Sequence, residues 1–186
     1  MLKWKELYDE CVNCHKCDLG NTRINMVFGD GNSKADIIFI GEAPGADEDR
    51  TGIPFVGRAG QFLTKYLEEL NLYRNKDYYI CNICKCRPEK NRTPYEEEAK
   101  TCLQYVRNQV ALVKPKIIVC LGATAMRYIL GTDWRITRDR GKWVERKGFY
   151  MTTTFHPSAI LRDPNKNQLF LEDLKAINKK YKEISA

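Results

Sequence analysis

Two short stretches of the chain decide its fold: Asp36-Ile-Ile-Phe-Ile-Gly41 and Lys116-Ile-Ile-Val-Cys-Leu-Gly122. Both are apolar, rich in β-branched residues and end at glycine, which is typical of strands buried on both faces of a parallel sheet. Residues 78–83 and 149–155 have a similar β-forming composition. We therefore predict four strands, with the two quoted stretches at the centre of the sheet.

The segments between these strands have the patterns of helices. Apolar side chains recur at helical spacing over 61–72, and Thr93-Pro94 opens a longer helix through Val113 with its proline in the first turn. Two more helices are predicted over 123–130 and 167–184. This alternation predicts an α/β fold, a three-layer α/β/α sandwich with a central four-stranded, mainly parallel sheet. No internal repeat or break in composition divides the chain, so we expect one domain over residues 1–186.

The composition is that of an ordered globular protein. Of the 186 residues, 43% are hydrophobic and 30% are charged, and no apolar run reaches the roughly 20 residues that a membrane span needs. Charged side chains interrupt the first ten residues, so we expect no signal peptide there. The expectation is a cytoplasmic monomer without membrane contact.

The net charge of +7 favours a polyanionic partner, because lysines and arginines that neutralise phosphates release counterions. Many basic proteins of this size bind no nucleic acid, and the lysines at 179, 180 and 182 also suit a solvated helix face. The charge alone leaves both interpretations open. A peptide that would bind a sliding clamp is not evident in residues 178–186.

Glycine-rich and polar motifs follow the predicted strands. Gly41-Glu42-Ala43-Pro44-Gly45 ends the first central strand, and its turn brings backbone amides close to any ligand. Phe55 lies on a loop between glycines, where an aromatic ring can stack on a planar base. Asn82 and His156 lie near the ends of two further strands. Because strand ends of an open α/β sheet form its ligand crevice, we expect these residues to converge.

Each of these motifs also has an ordinary structural interpretation. The first could be a simple turn, Phe55 a loop anchor in the core, Asn82 a turn residue and His156 a structural group. Their convergence on one edge of the sheet is what favours the functional interpretation.

Eight cysteines in a chain expected to be cytoplasmic argue against disulfides, because a reducing compartment keeps thiols free. Cys14-x2-Cys17 could join Cys86 and Cys102, and four such thiolates suit either zinc or an iron–sulfur cluster. Spacing does not separate the two metals. Cys11 and Cys84 lie close enough in sequence to compete as ligands.

The chain resembles the family 4 uracil-DNA glycosylases of thermophiles. The resemblance rests on these motifs together with Lys85-Cys86-Arg87-Pro88 and His156-Pro157-Ser158, which occur in the same order and cover nearly the whole chain. The resemblance implies a DNA repair enzyme that flips uracil out of single- or double-stranded DNA. It would hydrolyse the N-glycosidic bond, releasing free uracil and leaving an abasic site for base excision repair. It also implies one structural four-iron, four-sulfur cluster and no catalytic metal. The implied cluster ligands are Cys14, Cys17, Cys86 and Cys102.

The resemblance also implies a uracil pocket. Phe55 would stack on the base, Asn82 would read its N3 and O4 edge, and His156 would stabilise the negative charge that develops at O2. The implied uracil-binding residues are Gly41, Glu42, Ala43, Phe55, Asn82 and His156.

The implied catalytic residues are His156 and Glu42. Ala43 stands where some related glycosylases carry an activating aspartate, so a carboxylate that orients water would have to come from Glu42, with Glu48 as the alternative. The residue that excludes thymine is not identified.

Two arginines are the implied DNA contacts. Arg162 would fill or hold the stack that the flipped base leaves, and Arg58 would grip phosphate, although a structural ion pair is the alternative for it.

Three other functions compete with this interpretation. A related branch binds uracil-DNA covalently. It has an added basic loop after the motif that contains Asn82, and residues 86–94 of this chain lack that loop. A zinc-stabilised DNA-binding module would use the same cysteines. A nucleotide-binding protein would use the glycine-rich strand ends, but the chain has neither common phosphate-loop motif.

Overall fold

The computed structural model describes residues 3–185, which form one six-stranded sheet with helices on both sides. The strands are β1 Asp30–Gly31, β2 Ile37–Gly41, β3 Tyr78–Asn82, β4 Ile117–Leu121, β5 Val144–Arg146 and β6 Phe149–Thr154.

The sheet order is β1-β3-β2-β4-β6-β5. The four predicted strands β3, β2, β4 and β6 are the central ones and run parallel, as expected. The prediction of four strands is corrected by the two edge strands, β1 and β5, which pair antiparallel. Because every residue of β2, β3 and β4 is buried, these strands are continuous apolar runs.

The helices fill both faces of the sheet. Their bounds are α1 Trp4–Val12, α2 Leu19–Thr22, α3 Ala46–Thr51, α4 Arg58–Glu69, α5 Glu96–Val113, α6 Ala123–Ile129, α7 Ile136–Asp139, α8 Pro157–Arg162 and α9 Asn167–Ser185. Two short 3₁₀ turns cover Glu89–Asn91 and Pro164–Lys166.

Alternate residues of the central strands point into two separate hydrophobic cores, one on each face of the sheet. Ile37 and Phe39 of β2 point to a core closed by α4, α8 and α9, while Ile38 and Ile40 point to one closed by α5 and α6. This alternation follows from the two-residue repeat of a strand. The predicted three-layer α/β/α sandwich is therefore confirmed.

Two predicted helix starts are corrected. The long helix α5 begins at Glu96, after the predicted Thr93-Pro94, because Tyr95 is extended and its N–H donates to the Glu98 carboxylate at 2.7 Å. Helix α4 begins at Arg58, three residues before the predicted start, with Gly57 as its N-cap. Both starts are set by caps that the apolar spacing does not reveal.

A third, smaller core lies under the N-terminal helix α1. Leu7 and Cys11 pack there against Phe28 and Tyr105, next to α5. This helix attaches the cysteine-bearing segment that follows it to the main body. No helix within residues 3–185 has both the length and the apolar character needed to cross a membrane.

Candidate active site

A cavity of about 860 Å³ opens at the carboxyl edge of the parallel strands. Gly41 pairs with Asn82 across β2 and β3, and Leu121 pairs with Thr154 across β4 and β6, so the four strands end level with one another. The loops that follow these ends line the cavity. This is the crevice that an open parallel sheet offers to a ligand.

The structure brings the predicted pocket residues together in this cavity. Glu42, Ala43, Phe55, Asn82 and His156 line it. Gly41 lies beneath them, where a Cβ would come within 2.5 Å of both the Asn82 amide oxygen and the Phe55 ring. The close approach explains why this strand ends at glycine.

Phe55 stands on a strained loop. Its φ of 54° lies in the left-handed region, which costs energy for a bulky residue and needs support from its surroundings. Arg74 supplies that support, because its guanidinium donates to the carbonyls of Pro54 at 2.8 Å and Phe55 at 3.0 Å. Gly60 completes the fit, since a Cβ there would lie 2.1 Å from the Phe55 carbonyl. The ring is thereby fixed 5.8 Å from the His156 ring.

Asn82 is buried, and its side-chain oxygen has no hydrogen-bond partner within residues 3–185. Its backbone carbonyl accepts a hydrogen bond at 2.9 Å from the ammonium of Lys85, which is itself only 1% exposed. That ammonium also donates to the Gln109 amide oxygen at 2.7 Å. A buried oxygen without a partner costs free energy, so the Asn82 amide is arranged for a ligand that donates to it.

The hydrogen bonds of His156 determine which of its ring nitrogens carries the proton. The backbone N–H of Ser158 donates to its Nδ1 at 3.2 Å, and the Ser158 hydroxyl lies 2.8 Å from the same nitrogen. Burial, and secondarily the charge of Arg162, lowers the pKa of His156 to about 4. The ring is therefore neutral at pH 7 with its proton on Nε2. Gly122 leaves room for it, because a Cβ there would lie 2.9 Å from the His156 Cβ.

The two candidate carboxylates occupy different environments. Glu42 accepts a hydrogen bond from the Thr124 hydroxyl at the cavity wall. Glu48 accepts from the backbone N–H groups of Val56 at 3.1 Å and Gly57 at 2.9 Å. Glu48 therefore secures the loop that carries Phe55, while Glu42 keeps its carboxylate beside the cavity.

Four basic side chains line the cavity: Arg58, Arg92, Arg162 and Lys166. The two predicted DNA contacts, Arg58 and Arg162, are both exposed. Neither has an ion pair among the described residues 3–185. Both are free to meet a polyanion.

The four predicted cluster cysteines come from three parts of the chain. Cys14 and Cys17 lie between α1 and the first residues of α2, Cys86 follows β3, and Cys102 lies in α5. Burial raises the pKa of Cys86, the Arg23 guanidinium lowers it, and the charges of Cys102 and Cys17 raise it further. Within residues 3–185, no three His, Cys, Asp or Glu side chains are grouped as a site for a single metal ion.

Hydrogen-bond donors face the sulfurs of two of these cysteines. Arg23 Nη1 donates to Cys86 Sγ at 3.1 Å, and the Lys85 backbone N–H donates to Cys102 Sγ at 3.2 Å. Burial raises the pKa of Cys17, and the backbone N–H groups of residues 19 and 20 partly offset that rise. Such donors are the usual outer shell of metal-bound thiolates.

The sulfur of Cys14 lies beside the Tyr105 hydroxyl, which is buried and, in the described part of the chain, has no hydrogen-bond partner. A hydroxyl in this position can donate to a thiolate. It is the same kind of orphaned polar group as the Asn82 oxygen, here next to a predicted metal ligand.

The other four cysteines are thiols in apolar surroundings. Burial raises the pKa of Cys11 to about 12 and also raises those of Cys81 and Cys120. A hydrogen bond from the Cys84 thiol lowers the pKa of Cys102 to about 7 and correspondingly raises that of Cys84. The protonated thiol is therefore the favoured form of Cys84.

Sequence reasoning missed three residues that support the site: Arg74, Lys85 and Thr124. For Lys85 the sequence does contain a signal, because a lysine within a stretch that is otherwise expected to be buried indicates a paired, buried ammonium. Arg74 lies 19 residues from Phe55, and no local pattern connects the two.

Comparison with known proteins agrees with this geometry. The sequence model of the uracil DNA glycosylase superfamily matches residues 28–180. A type-4 uracil-DNA glycosylase of Archaeoglobus fulgidus is 42% identical over 180 residues, covering 92% of this chain and 90% of that protein. Those of Sulfurisphaera tokodaii and Thermotoga maritima are 40% and 43% identical, covering 93% and 91% of this chain and 82% and 90% of their own lengths. The chain therefore belongs to the type-4 uracil-DNA glycosylases.

Proposed function

We propose that this chain removes uracil from DNA by hydrolysing the N-glycosidic bond, as a monofunctional glycosylase that begins base excision repair. The observation that carries the proposal is the unpaired, buried amide oxygen of Asn82 beside the ring of Phe55. Together they offer a stacking surface and a polar edge of the size of one base.

The Asn82 amide selects uracil by its hydrogen-bond pattern. Its oxygen accepts the N3–H of uracil, and its NH₂ group donates to O4. Cytosine has an acceptor at N3 and an amino group at position 4, so it leaves the buried oxygen unpaired. A site built for a donor rejects a base that lacks it by a large factor.

His156 stabilises the leaving uracil. Since Nδ1 accepts from the Ser158 backbone, the neutral ring presents Nε2–H to the O2 atom, where negative charge develops as the bond to the sugar breaks. A donor fixed in advance needs no rearrangement in the transition state, and one such group contributes roughly 10²–10³-fold to the rate.

Glu42 acts on the sugar side of the reaction. Its carboxylate, held by the Thr124 hydroxyl, orients the attacking water and offsets the positive charge that develops at C1′. The variant Glu42→Gln is therefore expected to lose turnover while keeping its affinity for uracil-DNA.

The substrate is uracil-containing DNA, single- or double-stranded, bound by a monomer. A base inside a duplex is out of reach, so it must be flipped into the cavity. Arg58 grips a neighbouring phosphate, and Arg162 occupies the space that the base leaves. Both are exposed at the cavity.

Cys14, Cys17, Cys86 and Cys102 would hold one four-iron, four-sulfur cluster. The support is that each sulfur has an N–H or O–H group beside it, including the otherwise unpaired Tyr105 hydroxyl. The bound cluster supplies a cross-link between three chain segments and takes no part in bond cleavage.

The test is release of free uracil from a uracil-containing oligonucleotide by the wild type and by Asn82→Leu, which keeps the shape but removes the amide. The wild type is expected to release uracil, and the variant is expected to lose about 100-fold or more in rate. Affinity for an abasic oligonucleotide controls for DNA binding and is expected to be unchanged. A wild type that releases no uracil, or a variant as fast as the wild type, would contradict the proposal.

A further inference from the structure

A tyrosine ring stands exposed beside the cavity. Tyr95, the N-cap of α5, has 64% of its surface exposed. The loop before it, residues 88–93, contributes Pro88, Asn91, Arg92 and Thr93 to the cavity wall. The ring therefore lies next to the residues that form one side of the uracil cavity, and nothing in the proposed chemistry uses it.

The ring is held in place rather than free to move. The Arg92 guanidinium stacks 3.8 Å from the centroid of the Tyr95 ring. Arg92 is in turn fixed by two hydrogen bonds to the buried Glu98 carboxylate, at 2.8 and 2.7 Å. The same carboxylate accepts the Tyr95 backbone N–H at 2.7 Å. One side chain, Glu98, thus positions both members of the stack.

The loop that presents this pair is strained. Lys90 and Asn91 both have φ in the left-handed region, at 52° and 57°. The Arg87 Nε donates to the Asn91 side chain at 2.7 Å and holds the turn closed. Strained backbone that the surroundings maintain is concentrated at binding and catalytic sites.

We infer that Arg92 and Tyr95 form a stacking platform for an unpaired nucleobase of the uracil-containing strand, next to the flipped one. The inference rests on the proposed function and extends it to the neighbouring nucleotide. One face of the tyrosine is covered by Arg92, and the rest of its exposed surface faces solvent, where a base can stack. A pre-ordered ring loses little entropy on binding, and every base has a face that it can accept.

The charges around the ring distinguish stacking from phosphate binding. Glu96 and Glu97 follow Tyr95, and Glu96 pairs with Lys100 at 2.5 Å and with Arg127 at 3.4 Å. The Tyr95 ring itself carries no charge at neutral pH, and the Arg92 guanidinium that covers one of its faces is already paired with the Glu98 carboxylate. Loss of the ring should weaken DNA binding without changing how strongly that binding depends on salt, because no counterion-releasing contact is lost.

The experiment compares Tyr95→Ala and Tyr95→Phe with Tyr73→Ala. Tyr73, also exposed at 43%, precedes the amino end of β3, at the edge of the sheet away from the cavity. The probe is a uracil-free single-stranded oligonucleotide, titrated at two salt concentrations. Tyr95→Ala is expected to bind about tenfold more weakly at both, whereas Tyr95→Phe and Tyr73→Ala should bind like the wild type.

A second measurement identifies the base. Single abasic sites are placed at successive positions beside a uracil, and the loss of affinity is measured with wild type and Tyr95→Ala. At the stacked position, the affinity lost through the abasic site and the affinity lost through Tyr95→Ala should not add, because each change removes the same contact. Single-turnover uracil release at saturating DNA should be unchanged in Tyr95→Ala.

Unchanged DNA affinity in Tyr95→Ala, with the wild type still releasing uracil, would overturn the platform and leave the proposed function standing. Additive losses at every position would also overturn it. A wild type that releases no uracil from any oligonucleotide would instead refute the proposed function.

Discussion

At His156, the local surroundings set both the charge of the ring and the direction of its proton. Burial disfavours the charged form, and the Ser158 N–H occupies Nδ1. A cationic ring would have to surrender that hydrogen bond to carry a second proton. The lowered pKa and the tautomer are therefore two consequences of one arrangement, and both suit a donor to uracil O2.

The pH dependence follows from this arrangement. The pKa of His156 is about 4 in the folded protein, against about 6.5 in an unfolded chain. Between those values only the unfolded chain takes up the proton, so the free energy of unfolding falls as pH falls from about 6.5 to 4. Because the proposed mechanism uses the neutral ring, single-turnover uracil release should not depend on His156 protonation between pH 5 and 8.

NMR titration measures this directly, because His15 is the only other histidine and His15→Asn assigns the signals. The His156 signals should stay those of a ring protonated at Nε2 down to about pH 5. A His156 pKa near 6.5, with the uracil-release rate falling alongside it, would contradict the mechanism.

A site residue can be predicted from the sequence when its neighbours are close to it in the chain or lie on strand ends that must meet. Asn82 lies at the end of one predicted strand and His156 directly after another, and parallel strand ends must meet, so their convergence was foreseeable. The partner of Phe55 was not, because Arg74 reaches it only after α4 has folded between them. Thr124 likewise meets Glu42 from a different strand end.

At the scale of elements, the segment after β3 joins the two candidate centres. The Lys85 backbone N–H donates to Cys102, and its ammonium donates to the Asn82 carbonyl. One residue thus contacts a predicted cluster ligand with its main chain and Asn82, the proposed uracil-binding residue, with its side chain. The buried ammonium costs free energy to desolvate, which its two acceptors must offset.

Lys85→Met tests this connection, because methionine keeps the length but leaves the Asn82 and Gln109 oxygens without their donor. Each buried oxygen left unpaired costs about 1–3 kcal/mol, so a lower Tm is expected. If Lys85 also positions Asn82, inhibition by free uracil should weaken about tenfold and discrimination against cytosine should fall. Exposed Lys90→Met is the matched control. A lower Tm with unchanged uracil inhibition would restrict Lys85 to a structural role.

The elements themselves were predicted where the apolar pattern is long. Strands β2 and β4 are continuous apolar runs, and helices α5 and α9, of 18 and 19 residues, are long enough to show a helical period. The edge strands β1 and β5 have two and three residues, which is too short for any period. The start of α5 was misplaced because Pro94 suits a first turn, whereas the Glu98 carboxylate caps the helix at Tyr95.

At the scale of the whole molecule, the predicted cluster cysteines lie where the small core under α1 meets a larger core of the sheet. The small core contains Leu7 and Cys11, and Trp4 and Cys102 pack against both cores. A cluster on Cys14, Cys17, Cys86 and Cys102 would tie the N-terminal segment, the loop after β3 and α5 to one another. Its contribution to stability would come from closing these long loops.

The choice between Cys84 and Cys86 as a ligand provides the sharpest test of that cross-link, because both are buried and they lie two residues apart. Cys86 Sγ accepts a hydrogen bond from Arg23, as a bound thiolate would, whereas the neighbouring Cys102 sulfur and burial raise the pKa of Cys84, which favours its protonated thiol. Cys86→Ala should therefore lose iron and visible absorption and show a lower Tm. Cys84→Ala should keep about four iron atoms per chain.

The measurement is iron and zinc content of anaerobically purified protein, with the visible spectrum and Tm of the same samples. Iron lost from Cys84→Ala but retained in Cys86→Ala would reverse the ligand assignment. Stoichiometric zinc without iron in the wild type would replace the cluster by a zinc site. In that case the zinc would still cross-link the same three segments through the same sulfurs. Both zinc and an iron–sulfur cluster bind deprotonated thiolates, so neither would use a cysteine that stays protonated.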